Sequence, residues 1–355
     1  MVEPSPLIRY LRAPAAAHPF SAEEWSLMLS EARQLGLLGR IAQGADGRSF
    51  VGNFPPRQQE HLRAALIHSA AFRRDVLREL QFIRKALADV KSPIILLKGA
   101  SYVALGFPVA NGRIFSDIDL LVASEEIRFV ESELMRGGWV TGELDSYDDR
   151  YYRQWSHEIP PMTHTHRGTT IDLHHSLVMP TCRVAIDSMR MINDAVPIGE
   201  GENFWRLRDE DMLLHAAAHL LLNGEFDRGL RDLWDIDLLF RHFSAASPQF
   251  PKKLLVRSAE VGLETILRQA LLLSRRFFAT PVDERWVEQE PTVFVRLVEK
   301  AVSSRHPETR SSGQAMADWL LMVRELSLRF PPKLLLIHLL HKMWVGFRPA
   351  KRTQA

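Results

Sequence analysis

Apolar residues recur at helical spacing through most of the chain. Ser21-Ala-Glu-Glu24 has the form of a capping box, with the glutamate three residues after the cap. Trp25, Leu27, Met28, Ala32, Leu35 and Leu38 follow it, so a helix is predicted there. After a Gly/Asn/Pro-rich break at 51–56, a long helix is predicted from Arg57 to about Val90. Leu62, Leu66, Val76, Leu80, Ile83 and Leu87 would mark its apolar stripe, and Arg73, Arg74, Arg78, Arg84 and Lys85 a solvated basic face. Then the period changes. Ile94-Ile-Leu-Leu97 is a short unbroken apolar run of the kind a buried strand shows. Residues 100–105 suit a short helix and 106–116 a loop. Ile118 to Val122 reads as a second strand, and Ser124 as the cap of a helix reaching Met135. Residues 150–175 read as β-rich, with Arg167-Gly168 turning between strands at 162–166 and 169–174. From Arg183 onward the pattern is mainly helical, most clearly over 209–222, 228–242, 251–261, 264–278, 314–329 and 333–345.

This order predicts an α+β protein. A helical N-terminal region (1–90) would precede a compact α/β core (91–180) and a helical C-terminal domain (181–355). The 355 residues carry 45 Lys/Arg against 43 Asp/Glu. That near balance argues against a surface devoted to nucleic acid. The single cysteine, Cys182, excludes an internal disulfide and makes the cytoplasm the expected compartment. It is expected to be buried rather than catalytic, since no nucleophile motif surrounds it. No signal peptide and no transmembrane segment are expected.

Chemistry concentrates in Leu97-Lys-Gly-Ala-Ser101 and Phe115-Ser-Asp-Ile-Asp-Leu-Leu-Val122. On a strand, Asp117 and Asp119 point to one face while Ile118 points to the other. Two carboxylates side by side repel each other unless a cation lies between them. A hard divalent ion is the natural neutraliser, and Mg²⁺ with a substrate phosphate is the usual case. Asp172 is a third carboxylate with apolar neighbours, in Thr170-Ile-Asp-Leu-His174. If its strand lies beside that of Asp117 and Asp119, three carboxylates converge. Such a set can hold one or two Mg²⁺ ions, position a triphosphate and activate a hydroxyl.

Lys98-Gly99, Arg113, Ser116-Asp-Ile-Asp-Leu-Leu-Val122 and Ile171-Asp-Leu-His174 together resemble the DNA polymerase β-like nucleotidyltransferase superfamily. More narrowly they resemble its bacterial branch, the uncharacterised nucleotidyltransferase family, over roughly residues 60–245. The resemblance implies a small mixed-sheet, palm-like core. Asp117, Asp119 and Asp172 would be catalytic metal ligands. Lys98, Gly99, Ser101, Arg113 and Ser116 would be candidates for gripping the nucleotide. Mg²⁺, with Mn²⁺ as the alternative, would be the metal, and an NTP, ATP foremost, the co-substrate. In the wider superfamily the glycine is followed by Gly or Ser, with a shorter spacer to the first Asp. Here Ala100 follows Gly99 and the loop is longer, as in the narrower branch.

The expected activity is transfer of a nucleoside monophosphate to a hydroxyl of a small molecule, sugar or peptide product. One alternative is a toxin-like enzyme acting on tRNA, which needs the basic run from Arg73 to Lys85 to border Asp117. Another is a catalytically silent binding or regulatory module on the same fold. Other chemistries lack their motifs. His215 and His219 share a helix face without His-Glu-x-x-His, so core or cleft positions are expected for them. The histidines at 157, 164, 166, 174 and 175 have no cysteine beside them for a structural zinc, and His174 is expected to support the Asp172 strand. Asp235 is expected in a cap or salt bridge, with a place lining the nucleotide cleft as the alternative that the resemblance implies. The basic, apolar stretch 334–352 is read as a docked terminal helix, with a membrane surface as the alternative.

Overall fold

The computed structural model describes residues 5–12, 20–44, 51–142, 145–199, 203–224, 226–287, 291–303, 306–310 and 312–346. Helices α1 (Pro6–Arg12), α2 (Ala22–Gln34), α3 (Leu38–Gln43) and α4 (Pro56–Ala86) form the N-terminal region. The capping box is present at α2: Ser21 accepts from the Glu24 amide, and Glu24 accepts from that of Ser21. Leu62, Val76, Leu80 and Ile83 give the 31-residue α4 its buried stripe.

Next comes β1 (Ile94–Leu96), then α5 (Lys98–Leu105), β2 (Asp117–Leu121) and α6 (Ile127–Arg136). β3 (Trp139–Thr141), α7 (Ser146–Gln154), β4 (Met162–His164) and β5 (Thr170–His174) follow. After α8 (Ser188–Asn193), two short strands, β6 (Val196–Pro197) and β7 (Phe204–Arg206), return to the sheet. The seven-stranded sheet has the order β3-β4-β5-β2-β1-β7-β6. It is mixed: β2 runs parallel to β5 and antiparallel to β1, while β1 runs parallel to β7. The fold is therefore α+β, with a sheet that extends past residue 180, where the helical C-terminal part was expected to begin.

The C-terminal helices are α9 (Asp209–Leu222), α10 (Gly229–Ala246), α11 (Phe250–Glu260), α12 (Glu264–Phe278), α13 (Val293–Val302), α14 (Gln314–Arg329) and α15 (Pro332–Gly346). α9 is apolar on nearly every side and lies at their centre, packed on α10, α11 and α12. Its Asp211 is fully buried and accepts two hydrogen bonds from Arg257 of α11, at 2.8 and 2.7 Å. A buried carboxylate needs such a partner.

Several local expectations are corrected. Residues 150–154 belong to α7 and not to a strand. Asp145 caps that helix by accepting from the amides of Tyr147 and Asp148, and Arg153 bonds back to Asp149 and across to Glu131. Ser124 does not cap α6. It sits in a 3₁₀ turn, and its hydroxyl donates to the carbonyl of His175. Cys182 is partly exposed rather than buried.

Candidate active site

β2 and β5 lie side by side in register, with Asp119 opposite Asp172 and Asp117 opposite Thr170. Residues opposite each other on parallel neighbours share a face, and alternation keeps every second residue on it. Asp117, Asp119, Asp172 and His174 therefore project from one face, while Ile118, Ile171 and Leu173 fill the core on the other. One oxygen from each of the three carboxylates lies within 4.8 Å of the others. Asp119 is 8% exposed, and Oδ1 of Asp172 is buried without a hydrogen-bond partner. An orphaned carboxylate oxygen inside a cluster of acids fits a site built for a cation.

The acids are electrostatically unequal. Burial raises the pKa of Asp172, and its neighbours Asp119, Glu158 and Asp117 push it further, to about 8. Burial acts the same way on Asp119 but is outweighed. Lys98, with Nζ 3.7 Å from Oδ1, and His174, with Nε2 3.1 Å away, hold Asp119 well below the usual carboxylate range.

A cleft of about 680 Å³ opens over these residues. Lys98, Gly99, Arg113 and Ser116 line it with the three aspartates; Ser101 does not, being buried in α5. Lys98 makes the sharp turn from β1 into α5 at a positive φ of 39°. A Cβ on Gly99 would lie 2.6 Å from both Arg113 Nη1 and the Phe115 ring, so glycine is required there for packing. The Ser116 hydroxyl donates to Asp117 at 3.1 Å. Arg113 is buried, donating to Asp235 at 2.9 Å, with Asp232 at 3.7 Å. Asp235 also accepts from the buried Arg40. Asp235 is thus a salt-bridge residue behind the cleft.

The structure also brings in residues that sequence reasoning missed or set aside. Glu158 lies 3.5 Å from His174 Nε2, and His157 beside it is held neutral by burial. Arg228 stands exposed on the cleft wall, which the half-buried rings of Tyr151 and Tyr152 in α7 also line. These side chains come from loops and helix ends far apart in sequence, so no local motif marks them. His219 lines the cleft and His215 is buried behind it; burial drives both well below the usual imidazole range, His215 to about 3. A second groove of about 440 Å³ meets the cleft at Phe115, Ser116 and Asp117. Of the basic run from Arg73 to Lys85 only Arg78 lines it, 3.4 Å from Asp75, while Arg167 pairs with Glu79 at 2.7 Å.

A family model described as uncharacterised nucleotidyltransferase matches residues 21–279. The chain belongs to this family. No curated protein matches it significantly. This nucleotidyltransferase is accordingly a transferase, and the matched segment contains the whole sheet, the three aspartates and the Asp235 network. α13, α14 and α15 lie beyond the match.

Proposed function

We propose that the protein transfers a nucleoside monophosphate from an NTP, ATP foremost, to a hydroxyl group of a small molecule, sugar or peptide product. The observation that carries this reading is the convergence of Asp117, Asp119 and Asp172 on adjacent parallel strands. These three would hold Mg²⁺, with Mn²⁺ as the alternative. When bound, the ion would neutralise phosphate charge and the repulsion within the acidic cluster. Lys98, Ser116 and the exposed Arg228 stand where they can meet the phosphates. Arg113, already paired, would hold the Gly99 turn in shape. Ser101, buried away from the cleft, has no direct part in this scheme. In the reaction, the acceptor oxygen attacks the α-phosphorus, and a new P–O bond forms as the bond to the β-phosphate breaks. Pyrophosphate leaves, and Asp172, which a bound cation would ionise, takes the proton of the hydroxyl. The core, flanked by helical regions that would select the acceptor, would act in the cytoplasm.

Two observations weigh against a nucleic-acid substrate. Asp75 and Glu79 offset Arg78 and Arg167 in the groove that reaches Asp117, and the chain as a whole is nearly neutral. The test is incubation with Mg²⁺, each α-labelled NTP and a cell extract. Label is expected in a low-molecular-weight or peptide product. The Asp117→Ala/Asp119→Ala variant is expected to lose it by at least about a thousandfold. Label persisting in the variant would remove the metal assignment. Absence of NTP binding by calorimetry would favour the silent module.

A further inference from the structure

Beside the three aspartates lies a second cluster of a different chemical kind. His157, Glu158 and His174 each bring one donor atom within 4.8 Å of the others. His174 stands on β5, two residues beyond Asp172 and on the same face. The backbone around Glu158 is strapped along the end of that strand. The His175 amide donates to the His157 carbonyl at 2.9 Å, and the Ile159 amide to the Leu173 carbonyl at 3.0 Å. Main-chain bonds thus hold the three side chains in one place.

The contacts among them run on to Asp119. Nε2 of His174 is 3.1 Å from Oδ1 of Asp119 and 3.5 Å from Oε2 of Glu158, and Nε2 of His157 is 3.8 Å from the same Glu158 oxygen. Ligands about 2.0–2.1 Å from a tetrahedral ion stand roughly 3.3–3.4 Å apart. The three separations bracket that spacing, so a small side-chain adjustment would close the set around an ion. The charges match as well: two carboxylates balance a divalent cation, and two neutral imidazoles bind without adding charge. The nitrogens choose the metal. Mg²⁺ takes oxygen ligands, whereas imidazole suits Zn²⁺ and its borderline neighbours. The side chains of His174 and His157 are 5 and 13% exposed, so water competes little for them.

We infer that His157, Glu158 and His174, with Asp119 as the fourth donor, form a binding site for a borderline divalent transition ion, Zn²⁺ foremost. All four residues line the cleft. An ion there would share the Asp119 carboxylate with the aspartate cluster and lower the repulsion among the acids around it. It is distinct from the Mg²⁺ of the proposed reaction, and the site does not depend on which nucleotide or acceptor is used.

Titration of the metal-free full chain with Co²⁺, followed by visible absorption, tests the inference. Four-coordinate Co²⁺ absorbs far more strongly than the octahedral ion. Intense bands are expected that saturate at equimolar Co²⁺ and are bleached by Zn²⁺ but not by excess Mg²⁺. His157→Ala should weaken Co²⁺ binding by at least about a hundredfold. Asp117→Ala, in the aspartate cluster but outside this set, should keep the bands. His157→Cys covers the case in which the alanine variant fails to fold, since a thiolate ligand adds sulfur-to-cobalt charge-transfer absorption in the near ultraviolet. Weak bands alone, displacement by Mg²⁺, intense bands that survive His157→Ala, or no charge-transfer band in His157→Cys would each overturn the inference. Bands lost in Asp117→Ala would move the ion to the aspartate cluster and overturn it too.

Discussion

Asp172 and Asp119 are chemically identical residues on neighbouring strands, yet their surroundings drive them apart. Lys98 and His174 serve Asp119, while at Asp172 burial and the acids Asp119, Glu158 and Asp117 outweigh Lys98. In the unfolded chain an aspartate has lost its proton above about pH 4. The folded Asp172 keeps it up to about 8. The folded state thus binds more protons across that window, and stability falls as pH rises through it, by at most about 1.4 kcal/mol per pH unit. Asp172→Asn cannot titrate and should flatten the slope. Urea denaturation of metal-free protein between about pH 4 and 8 measures this. An equally steep decline in the variant would place the titration at another group. The spacing of Asp117 and Asp119 was legible in the sequence because strand alternation is local. The inequality of the acids was not, because Lys98, His174 and Glu158 reach them through space.

Among the elements, the turn from β1 into α5 concentrates the most constraint. The resemblance made Gly99 a candidate for gripping the nucleotide. Independently of that, Arg113 and Phe115, each 2.6 Å from where a Cβ would lie, forbid a side chain there. Gly99→Ala must displace both, and overpacking of this kind costs about 1–3 kcal/mol. Both the melting temperature and the label-transfer rate should drop, since the displaced groups line the cleft. Wild-type stability in Gly99→Ala would show that Arg113 can move freely. Elements with a clear period were legible: α4, α9, α12 and α14, and the apolar runs of β1 and β2. β3, β6 and β7 are two or three residues long, too short to show a period. α7 was misread because its tyrosines suit strands, although Asp145, the acids of its first turn and Arg153 are helix signals.

Across the whole molecule, the Asp235 carboxylate joins three distant segments. It accepts from Arg40 of α3 and from Arg113 in the loop before β2, and it is itself part of α10. All three side chains are at most 4% exposed. Removing the anion would leave two guanidinium groups buried without it. Asp235→Ala is therefore expected to lose about 3–5 kcal/mol. Chemical denaturation checks this, and a loss below about 1 kcal/mol would mean that water or Asp232 takes over the role. The same network fixes Arg113 behind Gly99, so label transfer in any folded Asp235→Ala protein should fall as well.

The sequence by itself determined the helical periods, the buried strands and the one-face placement of Asp117 and Asp119, because these depend on residues a few positions apart. It also carried the motifs that assign the family. Tertiary structure alone decided that β5 pairs with β2 so that Asp172 faces Asp119, that β7 joins the sheet beside β1 from beyond residue 180, and that Arg113 is committed to Asp235. Strand partners and buried ion pairs are chosen by packing between segments as far as 195 residues apart, and no local pattern encodes that choice.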